Sequence, residues 1–209
     1  MRQLNHNFRI LGFLLGVLFI ISGYKTANNA GNKIKDGLEP FYTTVQKHKQ
    51  LYSMSCIPSS VEMVLKYNKK VGTDYFQLQE AWKEKSDGNF SDFDGKTIAG
   101  LIFNHRFNQP RKSSFPIENL YKAIEEELKA GRKVIISLPS GPNFWHIYVL
   151  DRQTESGDFV AYSRGYNNNN ILEMNNIKAL IRAINGTDIL TYLPADEKLM
   201  PDQTKKGSK

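Results

Sequence analysis

Partway along this chain the spacing of apolar residues changes from helical to extended, and that change limits its fold more than any other feature. Val61, Val64 and Leu65 recur at the i, i+3, i+4 spacing of one helix face. Pro58 suits the first turn of that helix, where its missing N–H costs nothing, so a helix starts at or just after Cys56 and runs to about Lys69. A second stretch, Pro116–Ala130, puts Ile117, Leu120, Ile124 and Leu128 on one face, and Gly131 stops it. Shorter helices are expected over Phe76–Lys85, Lys96–His105 and Asn175–Ile184. From Val134 the period shortens. Val134–Leu138, Trp145–Leu150, Phe159–Ser163 and Ile189–Leu193 read as strands, separated by turn-forming residues at 139–143 and 155–158. Residues 31–49 read as a polar lead-in segment and 163–170 as a polar loop. Helices dominate the front half and antiparallel strands the back half, and that segregation argues an α+β fold.

The chain has 209 residues, enough for one domain with a well-buried core. Residues 1–30 have the layout of a signal peptide. A short basic start containing Arg2 and Arg9 precedes a continuous apolar run, Ile10–Gly23, and then a small, polar stretch. The apolar run is shorter than the about 20 residues a membrane span needs. An uncleaved N-terminal anchor is the alternative to a cleaved leader, and on either reading the remainder leaves the cytoplasm. The expected organisation is a leader or anchor over 1–30, a domain over 31–193 and a polar tail over 194–209. The location expected is secreted, periplasmic or at the cell envelope, with membrane contact only through the N-terminal segment.

The net charge of +7 does not point to nucleic acid. The leader supplies +3 of it through Arg2, Arg9 and Lys25, leaving +4 spread over a surface of interspersed Lys and Glu. No basic stripe with interleaved aromatics occurs. Cys56 is the only cysteine, so neither an intramolecular disulfide nor a thiolate zinc site can form. No cofactor or metal is called for.

A lone thiol in an exported chain is either reactive or a small buried hydrophobe. Position favours the first reading. The start of a helix lowers a thiol pKa, because the free N–H groups and the dipole favour an anion. A base is also needed. Of four histidines, His6 lies in the leader, His48 in the polar lead-in and His105 at the end of an expected helix beside Asn104 and Arg106. His146 alone sits in an apolar strand, between Trp145 and Ile147, where a rigid element holds it partly shielded from water.

Gln50 lies six residues before Cys56, and Trp145-His146-Ile147-Tyr148-Val149-Leu150 follows 90 residues after it. These two motifs resemble the active-site signature of papain-like cysteine peptidases, most nearly the bacteriocin-leader-processing (double-glycine) peptidases and their soluble relatives. The resemblance covers about residues 45–170. It implies a papain-like fold with the nucleophile at a helix N-terminus. It implies Cys56 as nucleophile, His146 as base and Gln50 as a side-chain donor to the oxyanion. Phytochelatin synthases, with a similar layout, imply acyl or peptidyl transfer as a variant of the same chemistry. The chain departs from the pattern in two places. Ile57-Pro58 replaces a small residue pair after the cysteine. No acid follows the third strand where the family keeps its Asp, so the group that orients the imidazole is Ser163, Asn167 or absent. Asp151 lies at an odd offset from His146 and should face the other way. The expected partner is a peptide or protein substrate. A catalytically weak domain that binds a peptide or a cell-envelope component is the alternative that the missing Asp motivates.

Overall fold

The computed structural model describes residues 40–141 and 144–197; residues 1–39, with the expected leader, residues 142–143 and residues 198–209 of the expected tail lie outside the described residues. Five α-helices and seven strands occur among them. The helices are α1 (Pro40–Lys47), α2 (Cys56–Tyr67), α3 (Gln77–Ala81), α4 (Ile117–Lys129) and α5 (Ile177–Ala183). The strands are β1 (Thr97–Ile98), β2 (Leu101–Arg106), β3 (Val134–Gly141), β4 (Phe144–Gln153), β5 (Phe159–Arg164), β6 (Ile171–Met174) and β7 (Ile189–Pro194). All strand pairs are antiparallel, in one sheet of order β1-β2-β7-β3-β4-β5-β6.

Strand alternation sends successive side chains to opposite faces, and both faces are covered. Ile135, Ile147, Val149, Val160, Tyr162 and Leu190 face α1 and α2 and pack with Phe41, Val61 and Val64. Val134, Ile136, Tyr148, Leu150, Phe159 and Ile189 face α4 and α5 and pack with Leu120, Ile124 and Ile181. This explains why β3 and β4 read as near-continuous apolar runs rather than alternating ones.

The mixed α+β class expected from the sequence is present, but not its division into halves. The helix expected over Lys96–His105 is the hairpin of β1 and β2. Ala99 and Gly100 both have positive φ, +48° and +80°, the geometry of a tight primed hairpin turn. Leu101, Ile102 and Phe103 are a buried run paired with β7. The helix expected over Phe76–Lys85 shrinks to α3, after which bonds such as Trp82 N–H to Gln79 C=O and Lys83 N–H to Glu80 C=O tighten the chain into turns. The lead-in segment contains α1, and β6 follows the 165–170 loop where no strand was expected. The remaining helices and strands fall where expected, within a few residues at their ends.

Two histidines are also relocated. His48, expected in a polar setting, is fully buried. Its Nε2 lies 3.0 Å from Ser59 Oγ and its Nδ1 3.0 Å from Lys66 Nζ. Burial, then the Lys66 and Arg164 cations, hold it well below the usual imidazole range. His105 ends no helix; it lies on β2, with Nε2 2.9 Å from the Asp188 carboxylate.

Candidate active site

Cys56 is the first residue of α2 and is half-buried. Hydrogen bonding from the N–H groups of Ile57, of Cys56 itself and of Ile147 on β4 pulls its pKa down. Such donors favour a thiolate. Burial outweighs them, and the thiol is pushed up from its ordinary value. The helix start therefore does not deliver the lowered thiol pKa that the sequence suggested. Helix position was readable from Pro58 and the apolar spacing, whereas desolvation by the sheet was not.

The approach of Ile147 to the sulfur follows from the sheet. The β4–β5 ladder runs from Gln153 opposite Phe159 to Val149 opposite Tyr162. Ile147 lies beyond that last pair, at an open seam between the two strands. Within a strand, the N–H and C=O of one residue point the same way. The Ile147 N–H is among the groups that favour the Cys56 thiolate, and its C=O accepts a hydrogen bond of 2.7 Å from Ser163 Oγ.

Ser163 also lies 2.8 Å from His146 Nε2. A hydroxyl has one proton, and here it goes to the Ile147 carbonyl, so Ser163 accepts from Nε2–H. The neutral ring then carries its lone pair on Nδ1, the tautomer a general base needs. His146 is pushed down to about 4 by burial, with the Arg164 carbonyl pulling weakly the other way. At neutral pH the pair is accordingly a thiol and a neutral imidazole rather than a thiolate and an imidazolium. The ring stands edge-on to Tyr148 at 5.3 Å. Among the described residues no hydrogen bond joins the sulfur to the ring; the ring is held by Ser163, whose hydroxyl is bonded to the Ile147 carbonyl.

Of the two orienting candidates, Ser163 is the one bonded to the imidazole. Asn167 is exposed in the turn after β5. The neighbouring Asn169, which the sequence did not single out, accepts the Gln50 N–H at 3.1 Å and ties the two loops together. Asp151 is buried on the α1/α2 face and engages Lys133 and Arg152, not His146. Asp158 accepts the Phe159 and Lys178 N–H groups and so steadies the start of α5.

Gln50 is buried, and both hydrogens of its side-chain amide are engaged, to Tyr52 C=O at 2.9 Å and Ser53 C=O at 3.2 Å. Its Oε1 has no partner. In this arrangement Gln50 shapes the loop before Cys56, and donation to an oxyanion would require it to release one of those carbonyls. Arg164, next to Ser163, is buried with its Nε unpartnered. Neither Arg164 nor the Ile147 peptide was legible in the sequence, because both matter only through the β4–β5 register. No protein-family model matches the chain, and no curated protein matches it.

Proposed function

We propose that the protein is a cysteine-type amide hydrolase, in the manner of a papain-like peptidase, with Cys56 as nucleophile and His146 as general base. The observation that carries this reading is the hydrogen bond of His146 Nε2 to Ser163, whose hydroxyl the Ile147 carbonyl fixes, with Cys56 at the start of α2 and the Ile147 N–H among the groups that favour its thiolate. Hydrogen bonds of this kind are commonly long in the absence of substrate and tighten in its complex. His146 Nδ1 takes the thiol proton as sulfur bonds to the carbonyl carbon. The tetrahedral oxyanion then collapses, the C–N bond breaks, and His146 returns the proton to the leaving amine. Water, deprotonated by the same ring, cleaves the thioester and restores the thiol. An amine in place of water would make the reaction a transfer.

The surroundings suit a peptide. Among the described residues, Met54, Phe144, Trp145 and Tyr166 are the exposed large apolar side chains, and each lies within three residues of Cys56, His146 or Ser163. Arg111 covers the Trp145 ring at 3.9 Å. The second reading, a weak or inactive domain that binds a peptide on this rim, is favoured by one observation: the sulfur–imidazole hydrogen bond is not made in this state.

The two readings differ in covalent chemistry. Brief exposure to p-nitrophenyl acetate, followed by intact-mass and peptide-mass analysis, is expected to find one acetyl group, on Cys56, and a matching burst of nitrophenol. Cys56→Ala is expected to show neither. Acetylation of lysines alone, at equal rates in both proteins, would leave only the binding reading.

A further inference from the structure

One side chain of the run Asn167–Asn170 reaches across to the loop before Cys56. The run closes on itself. Gly165 N–H donates to Asn170 C=O at 2.9 Å, and Asn170 N–H donates to Asn168 Oδ1 at 3.0 Å. Within this turn Asn169 takes the left-handed conformation, φ +50°, which asparagine tolerates better than most residues. Its Oδ1 accepts the Gln50 N–H at 3.1 Å, from 119 positions away in the sequence.

A second side-chain amide holds the next peptide: Leu51 N–H donates to Gln79 Oε1 at 2.8 Å. The two N–H groups that bracket the Gln50 α-carbon are therefore both taken by side-chain oxygens from distant elements, one on the β5–β6 loop and one on α3. The Gln50 side chain is held differently. Among the described residues its Nε2 donates only to Tyr52 and Ser53 C=O, carbonyls of its own loop, and its buried Oε1 has no partner. An orphaned buried acceptor makes this side-chain placement less favourable than a fully paired one. The main chain of Gln50 is thus pinned from outside, while its amide is tethered only locally and can turn without the backbone moving.

We propose that Asn169 is a positioning residue for the reaction: its hold on the Gln50 N–H fixes the α-carbon about which the Gln50 amide turns from its loop carbonyls to the oxyanion. The proposal rests on the reading of Cys56 as nucleophile and gives the asparagine loop a part in it. Asn169 itself makes and breaks no covalent bond. It keeps the turning amide within reach of the substrate's carbonyl oxygen, so its loss acts on acylation through Gln50 alone. An asparagine that merely closed its own loop would act equally with or without the Gln50 side chain.

The test is the rate of Cys56 acetylation by p-nitrophenyl acetate, in the full chain, for wild type, Asn169→Gly, Asn169→Asp, Gln50→Met and the double variant Asn169→Gly with Gln50→Met. Glycine takes φ +50° without strain, so Asn169→Gly removes the oxygen and spares the turn. Gln50→Met fills the same space without donors and is expected to slow acetylation ~10²–10³-fold, as loss of one oxyanion donor does. Asn169→Gly is expected to slow it about tenfold, the scale of one lost hydrogen bond. Asn169→Asp keeps an acceptor oxygen in place and is expected to match wild type. In the Gln50→Met background Asn169→Gly is expected to add no loss, because the group it positions is gone. An Asn169→Gly rate equal to wild type, a Gln50→Met rate equal to wild type, or a tenfold loss that persists in the Gln50→Met background overturns the proposal. So does an Asn169→Asp rate as low as that of Asn169→Gly. Should Gln50→Met not fold, the Asn169→Gly and Asn169→Asp rates decide alone. Failure of the nucleophile reading is seen separately, as a wild-type protein that gains no acetyl group on Cys56, and that result overturns both.

Discussion

Replacing His146 with alanine is expected to slow acetylation of Cys56 by ~10²–10⁴-fold, the usual contribution of a positioned general base. The size follows from the resting state. Burial holds the thiol above its ordinary pKa and the imidazole at about 4. Little thiolate is then present at neutral pH, and acylation depends on proton removal as the bond forms. An enzyme that relied on a standing thiolate would lose far less, since sulfur would already be ionised. Ser163→Ala should have a smaller effect in the same assay. Of the two hydrogen bonds it removes, the one to the imidazole, of about 1 kcal/mol, sets the loss in tautomer control at about five- to tenfold. Circular dichroism of each variant separates loss of the base from loss of fold.

Asp151→Ala is expected to be the most destabilising single change in the sheet. The Asp151 carboxylate is fully buried, 2.7 Å from Lys133 Nζ and 3.0 Å from Arg152 Nη1. Lys133 is itself buried, its ammonium 4.9 Å from the Tyr67 ring and 2.8 Å from the Asp151 carbonyl. Removing the carboxylate strands that cation in the α1/α2 core, and breaking a buried pair in this way costs about 3–5 kcal/mol. Removing both charges, as Lys133→Met with Asp151→Leu, should recover most of the loss, because the pair's attraction roughly offsets its own desolvation. Urea midpoints of the two single variants and the double variant measure this. Equal losses in Asp151→Ala and the double variant would mean that packing volume, rather than the stranded charge, sets the cost.

Local patterns were readable in the sequence, and long-range registers were not. Helix α2 was legible because Pro58, Val61, Val64 and Leu65 all agree on it. The strands β3, β4, β5 and β7 were legible as short apolar runs between turn residues. The β1–β2 hairpin was not, because a run such as Leu101–Phe103 suits a buried helix as well as a strand, and nothing near it announces a left-handed Ala99. Cys56 and His146 stood out through the helix start and the apolar strand. The choice between Ser163 and Asn167 hung on where the β4–β5 ladder ends, which local sequence does not encode. The burial of His48 and Gln79 likewise depends on partners far along the chain, Ser59, Glu62 and Lys66 for one, Lys49 to Ser55 for the other. The Gln50–Cys56 spacing led to the expectation of an oxyanion donor. The structure adds that the donor hydrogens are already engaged.

The pH dependence of Cys56 acetylation by p-nitrophenyl acetate tests the central claim most directly. With His146 as general base, the wild-type rate should rise as the imidazole loses its proton near pH 4 and stay level from pH 6 to 8. His146→Ala should fall below it and climb about tenfold per pH unit over that range, as an unassisted thiol does. A wild-type rate that climbs tenfold per unit from pH 6 to 8 and coincides with that of His146→Ala would contradict the account.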